Sequence, residues 1–217
     1  MRLISHPFVI FKDNMPRILG LDASTSTIGI CVLDFTLDGK FDLILANYYK
    51  PPKKGHPIEK LAMTKMAIEK IIEKYNPDHI ALEDIILFMK GKSTAKTTTS
   101  LAALNRTVGL AVYEKTTRPP TLLNVLTIRH AIKIREVPDK EKIPETVAER
   151  LQIQFPWILN INNKPIPENY DIADGMAVAL AYACLVINND GKFPLDKESS
   201  IKKEKKKKKK KQLPKSK

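Results

Sequence analysis

Four carboxylates stand where apolar segments of this chain end or begin. Asp22 closes the run Arg17-Ile18-Leu19-Gly20-Leu21-Asp22, and Glu83 closes His79-Ile80-Ala81-Leu82-Glu83. Asp171 and Asp174 open a third run, Asp171-Ile172-Ala173-Asp174-Gly175-Met176-Ala177-Val178-Ala179-Leu180. An ionised carboxylate beside a hydrophobic core is costly unless it is hydrogen-bonded, paired or bound to a cation. No lysine or arginine lies close to Asp171 or Asp174 on their own segment, although the chain carries a net charge of +13. A shared divalent metal is the simplest physical reason to gather four acids in so basic a chain. Magnesium takes oxygen ligands, and manganese substitutes for it in such sites. Two ions roughly 4 Å apart stabilise the attacking and leaving oxygens of an in-line displacement. Metal-assisted phosphoryl chemistry is therefore the leading expectation. By themselves, Asp171 and Asp174 equally suit an N-cap and third helical position that favour the helix dipole.

The segments that position these acids follow from periodicity. Residues 17–22 read as a strand, Ala23-Ser24-Thr25-Ser26 as a polar turn, and 27–34 as a second strand. In that second strand Ile28, Ile30 and Val32 alternate with Gly29 and Cys31. Phe41 to Tyr48 completes an antiparallel meander. Helical spacing over 57–75 puts Ile58, Leu61, Ala62, Ile68, Ile72 and Tyr75 on one stripe, with Pro57 at the first turn and Asn76-Pro77 as the stop. A strand over 79–84 follows, then a helix near 98–116, a strand over Leu122 to Thr127, and helices at 129–134, 142–154 and 171–188. Three strands followed by alternating helix and strand predict an α/β fold, a mixed five-stranded sheet with helices on both faces. The first and fourth strands are apolar on successive residues, as strands covered on both faces are. They are expected to be central and adjacent, which sets Asp22 and Glu83 side by side at one sheet edge. Asp84 points to the opposite strand face from Glu83.

The 217 residues divide into an irregular leader over 1–16, one domain over 17–190, and a lysine-rich tail over 191–217. Met15 is a second candidate start. Residues 201–217 hold eleven lysines against Glu204, leaving only about +3 for the rest of the chain. Such a segment repels itself and cannot bury apolar surface, so disorder is expected. It reads either as a solubility or localisation tail or as a polyanion tether. Cys31 and Cys184 sit in apolar runs without metal-ligand spacing and read as buried thiols. They place the chain in the cytoplasm or another reducing, DNA-containing compartment, not among secreted proteins. No apolar run reaches the roughly 20 residues of a membrane span, so no membrane partner is expected.

The order and spacing of these motifs resemble RuvC-type Holliday junction resolvases, within the RNase H-like nuclease superfamily. Ile18-Leu19-Gly20-Leu21-Asp22 resembles the family's first strand, and Gly29 falls at its second-strand glycine. Leu82-Glu83 matches its second acid, and Asp171-x-x-Asp174-Gly175-Met176-Ala177 matches its closing motif. Ala23-Ser24 departs from the family's Pro-Gly, and the stretch from Glu83 to Phe88 is about two residues longer than in common bacterial forms. The resemblance implies a magnesium-dependent endonuclease with two ions per site, held by Asp22, Glu83, Asp171 and Asp174. It also implies four-way junction DNA as partner and a homodimer making paired cuts.

For the junction centre the resemblance points to Phe88, which also suits simple packing. Basic candidates for DNA contact are Lys90, Lys92 and Lys96 in a segment rich in small donors, and Arg129, Lys133 and Lys142 where the family carries lysines. Each also reads as a solvated charge. The expected dimer surface lies on the helix near 98–116, where Leu101, Leu104, Val108 and Val112 exceed one core face. Alternative readings are another RNase H-like nuclease or transposase acting on branched DNA or RNA–DNA hybrid, and an actin- or sugar-kinase-like ATPase. The last requires a second domain and a second glycine-rich segment that eight glycines in this length do not supply.

Overall fold

β1 (Arg17–Ala23) places Leu19, Leu21 and Ala23 on one face of a sheet and Ile18, Gly20 and Asp22 on the other, as the two-residue strand period requires. The computed structural model describes residues 15–24, 26–85, 94–133, 142–189 and 191. β1 pairs antiparallel with β2 (Ile28–Phe35), which pairs antiparallel with β3 (Phe41–Tyr49). On its other side β1 runs parallel to β4 (His79–Glu83), and β4 runs parallel to the short β5 (Thr121–Leu123). The order is β3-β2-β1-β4-β5, so the two strands with unbroken apolar runs occupy the interior of the sheet, as their composition demands.

Two helical layers cover the sheet. α1 (Pro57–Tyr75) and α2 (Ala95–Thr116) pack on the face carrying Leu19, Leu21, Ile80 and Leu82. The other face meets α3 (Val125–Ala131), α4 (Ile143–Leu151) and α5 (Glu168–Ile187). α5 is long and apolar enough to cross a membrane by length and composition, which corrects the expectation that no segment is. Most of it, 72% of the apolar window, is buried inside this fold. Ile172, Met176, Val178, Leu180 and Val186 are fully enclosed, each contributing about 1.5–3 kcal/mol by leaving water.

Five readings from the sequence need correction. The expected strand over Leu122 to Thr127 stops at Leu123, because the Asn124 side chain accepts the Thr127 N–H at 2.9 Å and starts α3. α3 therefore covers Val125–Ala131 rather than 129–134. α5 begins at Glu168 after Pro167, so Asp171 lies inside the helix and is not its N-cap. On α1 the buried face is Thr64, Ile68 and Ile72, while Ile58 is 64% exposed. On α2, Val108 and Val112 belong to the core against β1 and Leu104 is buried on the wall of a cleft, so none of the three is free to form a subunit interface. Both cysteines are buried free thiols, and burial pushes each above its ordinary pKa. The leader through residue 14, Phe88, Lys90, Lys92 and residues 192–217 lie outside the described residues.

Candidate metal centre

Asp22 stands one residue beyond the last registered pair of β1 and β4, Leu21 with Leu82. Glu83 is the corresponding residue on β4, so the two acids end neighbouring parallel strands at one level. Strand alternation gives Asp22 the face of Ile18, and Glu83 the face of Ala81, both of which pack toward α5. The backbone at Glu83 is pinned from the opposite layer, since buried Asn105 of α2 donates its Nδ2–H to the Glu83 carbonyl at 2.9 Å. Asp84 leaves the strand: its N–H donates to the Leu123 carbonyl, and its carboxylate accepts the Ile85 N–H.

The helical half of the site depends on close approach. Asp22 is paired across the sheet with Gly29. A Cβ at Gly29 would lie 1.7 Å from the Asp171 carbonyl oxygen, and one at Gly175 would lie 2.6 Å from the Gly29 carbonyl carbon. Hydrogen at both positions is what lets α5 rest directly on the backbone of β2. The first turn of α5 is clamped by fully buried Asn169. Its Oδ1 accepts the Ile158 N–H and its Nδ2–H donates to the Ile158 carbonyl, both at 2.9 Å. Asp171 and Asp174, three residues apart, then share one helical face.

Asp22, Asp171 and Asp174 converge, with one carboxylate oxygen of each lying within 4.8 Å of the others. All three are half-buried. Like charges this close repel, and a bound cation relieves that repulsion. The donor set consists only of carboxylate oxygens, which suits a hard divalent ion such as magnesium or manganese and disfavours zinc or copper. Glu83 lies outside the three-carboxylate group but on the neighbouring strand end, facing the same layer.

A cleft of about 880 Å³ opens beside Asp171. Its walls come from Ser26 and Thr27 of the β1–β2 turn, the β3–α1 loop, the first turns of α1, the N-terminal half of α2 and the start of α5. Lys50, Lys53 and Lys60 line it, a basic set that the sequence reading did not single out. The signal available was a cluster of lysines directly after a strand, between Pro51-Pro52 and Pro57. Lys50 forms an ion pair with Glu168, one turn before Asp171. The ammonium holds the Glu168 carboxyl below its usual range, and the carboxylate raises Lys50. Lys96 lies exposed in the first turn of α2. Arg129, Lys133 and Lys142 belong to α3, the residues after it, and the start of α4, and none of them lines the cleft.

Comparison with known proteins places these features in a family context. The family model for crossover junction endodeoxyribonuclease RuvC matches residues 18–182. The crossover junction endodeoxyribonuclease RuvC of Dehalococcoides mccartyi is 27% identical over 171 residues, covering 76% of this chain and 91% of the relative. That of Finegoldia magna is 28% identical over 172 residues, covering 76% and 92%. Among solved structures, T. thermophilus RuvC in complex with Holliday junction substrate superposes with a TM-score of 0.62 at 16% identity, over 78% of this chain and 94% of that one. The yeast mitochondrial Holliday junction resolvase Ydc2 gives 0.57 at 17% identity, over 82% of each chain. At these identities the superpositions speak to the fold.

Proposed function

The chain belongs to the RuvC family of crossover junction endodeoxyribonucleases, and from that premise we propose how its own residues perform junction cleavage. The substrate is a four-way DNA junction, and the reaction is phosphodiester hydrolysis at the edge where β1, β4 and α5 meet. One observation carries this reading: carboxylates from two distant segments, Asp22 and the Asp171/Asp174 pair, meet within 4.8 Å. Asp22, Asp171 and Asp174 would hold the metal, with Glu83 of the neighbouring strand end as the fourth acid. Two magnesium ions, when bound, would activate the attacking water and neutralise the leaving oxygen. Water oxygen bonds to phosphorus as the bond to the 3′ oxygen breaks, leaving a 5′-phosphate and a 3′-hydroxyl.

Separation of a junction requires two strands to be cut, whereas one carboxylate cluster cuts one strand. A two-fold homodimer supplies two equivalent sites for two equivalent strands. With Leu104, Val108 and Val112 buried within the chain, the apolar surface left for it includes Met63 and Met66 of α1 and Leu110 and Tyr113 of α2, each about half-exposed. The lysine-rich segment over 201–217 adds sequence-independent affinity that falls steeply with salt.

Cleavage of end-labelled four-way junction, duplex and RNA–DNA hybrid in magnesium tests this function. Paired symmetric cuts confined to the junction are expected. Preference for hybrid would assign the chain to another RNase H-like activity. Anomalous scattering from a manganese-soaked crystal should place metal on Asp22, and light scattering should report a dimer.

A further inference from the structure

Of the four acids, Glu83 is the least well held by regular structure. Asp22 is followed by one more registered pair of β1 and β2, Ala23 with Ile28, and Asp171 and Asp174 lie inside a helix of 20 residues. Glu83 is the last residue of β4, one beyond the final pairing with β1, and its other neighbour is a strand of 3 residues. A metal ligand has to be fixed closely, because a misplacement of about 1 Å can cost on the order of a hundredfold in rate. A constraint from outside the sheet is needed.

Asn105 has the chemistry to supply it. It is the one polar residue on the buried face of α2, among Leu104, Val108, Ala111 and Val112, and it is 1% exposed. An apolar side chain at this place would continue the stripe. The amide instead donates its Nδ2–H to the Glu83 carbonyl at 2.9 Å, while its Oδ1 is buried with no hydrogen-bond partner among the described residues. A buried acceptor left unpaired lowers stability. Turning the amide over would not help, since it would set two oxygens against each other. The residue therefore gives up stability to keep one bond. That bond has a counterpart on the same peptide, where the Asp84 N–H donates to the Leu123 carbonyl at 2.8 Å. A planar peptide held at both polar atoms, from α2 and from β5, fixes the direction in which the Glu83 side chain leaves the backbone.

Resting on the reading of Glu83 as a metal ligand, we propose that Asn105 is a positioning residue for the metal centre. It holds the Glu83–Asp84 peptide so that the fourth carboxylate meets the group formed by Asp22, Asp171 and Asp174. The role passes through the backbone, unlike that of partners that orient a ligand by binding its side chain. It also joins the two helical layers in one site. α5 brings Asp171 and Asp174 from one face of the sheet, and α2 governs Glu83 from the other. Loss of the amide leaves the three-carboxylate group intact and loosens its fourth member.

The test compares Asn105→Ala and Asn105→Leu, alone and each combined with Glu83→Gln, in the full-length protein. Manganese affinity is read from the free-ion signal in electron paramagnetic resonance, stability from urea unfolding, and rate from single-turnover cleavage of a four-way junction. Ala leaves a small cavity and Leu crowds the core, so the stabilities of the two variants should differ. What they share is the missing donor. Both should weaken manganese binding about tenfold, the lower end for groups that orient metal ligands, and slow cleavage by up to about a hundredfold. In the Glu83→Gln background neither should weaken binding or slow cleavage further. Three results would overturn the positioning role while leaving the metal centre standing: unchanged manganese affinity in the folded variants, affinity that follows stability and not the donor, or losses that add to those of Glu83→Gln. No effect of Glu83→Gln itself would overturn the assignment of Glu83 to the metal, and the role of Asn105 with it.

Discussion

The two ends of β1 treat acidic residues in opposite ways. At its start, Arg17 donates to both carboxylate oxygens of Asp34, at 2.7 and 2.8 Å, and to the Tyr75 carbonyl. Its backbone N–H donates to Asp78. The Asp34 carboxylate raises the Arg17 pKa, so the guanidinium stays charged throughout the working range. At its finish, Asp22 is drawn toward Asp171 and Asp174 instead. The first end satisfies each charge with its opposite and serves the fold. The second gathers three carboxylates within 4.8 Å of one another, an arrangement that suits a site completed by a cation. The contrast sets the acids proposed to hold metal apart from those that serve the fold.

The largest break in that contrast is expected from Asp22→Asn. Cleavage should fall by well over about a hundredfold, because even the outer partners of metal ligands cost 10–100-fold when altered. Junction affinity in calcium should persist, since it comes mainly from basic groups on phosphates. In metal-free buffer the variant should melt a few degrees higher than wild type, as one of three crowded charges is gone. Its stabilisation by added magnesium should disappear. Equal melting shifts with magnesium in both proteins would deny the metal assignment to Asp22.

Next in size is Gly29→Ala, which attacks the same end through packing. The added methyl would meet the Asp171 carbonyl at 1.7 Å, so α5 must lift from β2. We expect a loss of about 3 kcal/mol in urea unfolding, the upper range of overpacking costs. Magnesium-dependent activity of the folded fraction should fall as well, since Asp171 moves away from Asp22. Full activity per folded molecule would mean that the carboxylates reach one another without this close contact.

That dependence on contact explains how far the sequence could be read. β1 and β4 declared themselves by unbroken apolar runs, and helix α1 by its stripe and its proline, because these signals are local. Asp22 and Glu83 were recognisable as strand-end acids for the same reason. The start of α5 was not, because Pro167 gives no side-chain cap and the first turn is instead clamped by Asn169 on Ile158, eleven residues away. β5 was overextended because Leu122 to Thr127 is rich in strand-forming residues, and the Asn124 cap outweighs that preference. The cleft was invisible for a similar reason. Its walls come from five segments, and Ile58 looks like a core residue until tertiary packing leaves it outside.

Arg17→Met tests the structural end and should have a smaller effect. The side chain is 31% exposed, so its loss is expected to cost about 1–2 kcal/mol, less than a buried pair would. Cleavage per folded molecule should remain unchanged, because the substitution lies at the far end of β1. A fall in activity exceeding the fall in stability would erase the functional separation of the two ends.

The smallest effect is expected at the Lys50–Glu168 pair, which places an ion pair of the structural kind at the chemical end of the molecule. Lys50 holds Glu168 below the ordinary glutamate value of 4.5, so the carboxylate's contribution to stability is present above that value. It is lost as pH falls through the lowered value of the folded state. Glu168 raises Lys50 above the ordinary 10.5, so the ammonium's contribution is complete below that value and is lost as pH rises through the raised one. The difference in melting temperature between wild type and Lys50→Gln should therefore be small and flat between these limits, and should vanish on the acid side. Thermal melts across the pH series measure it directly. A difference that survives at the acid end, once Glu168 is protonated, would show that Lys50 acts through its place over the Tyr48 ring, 5.8 Å from the centroid, and not through the carboxylate.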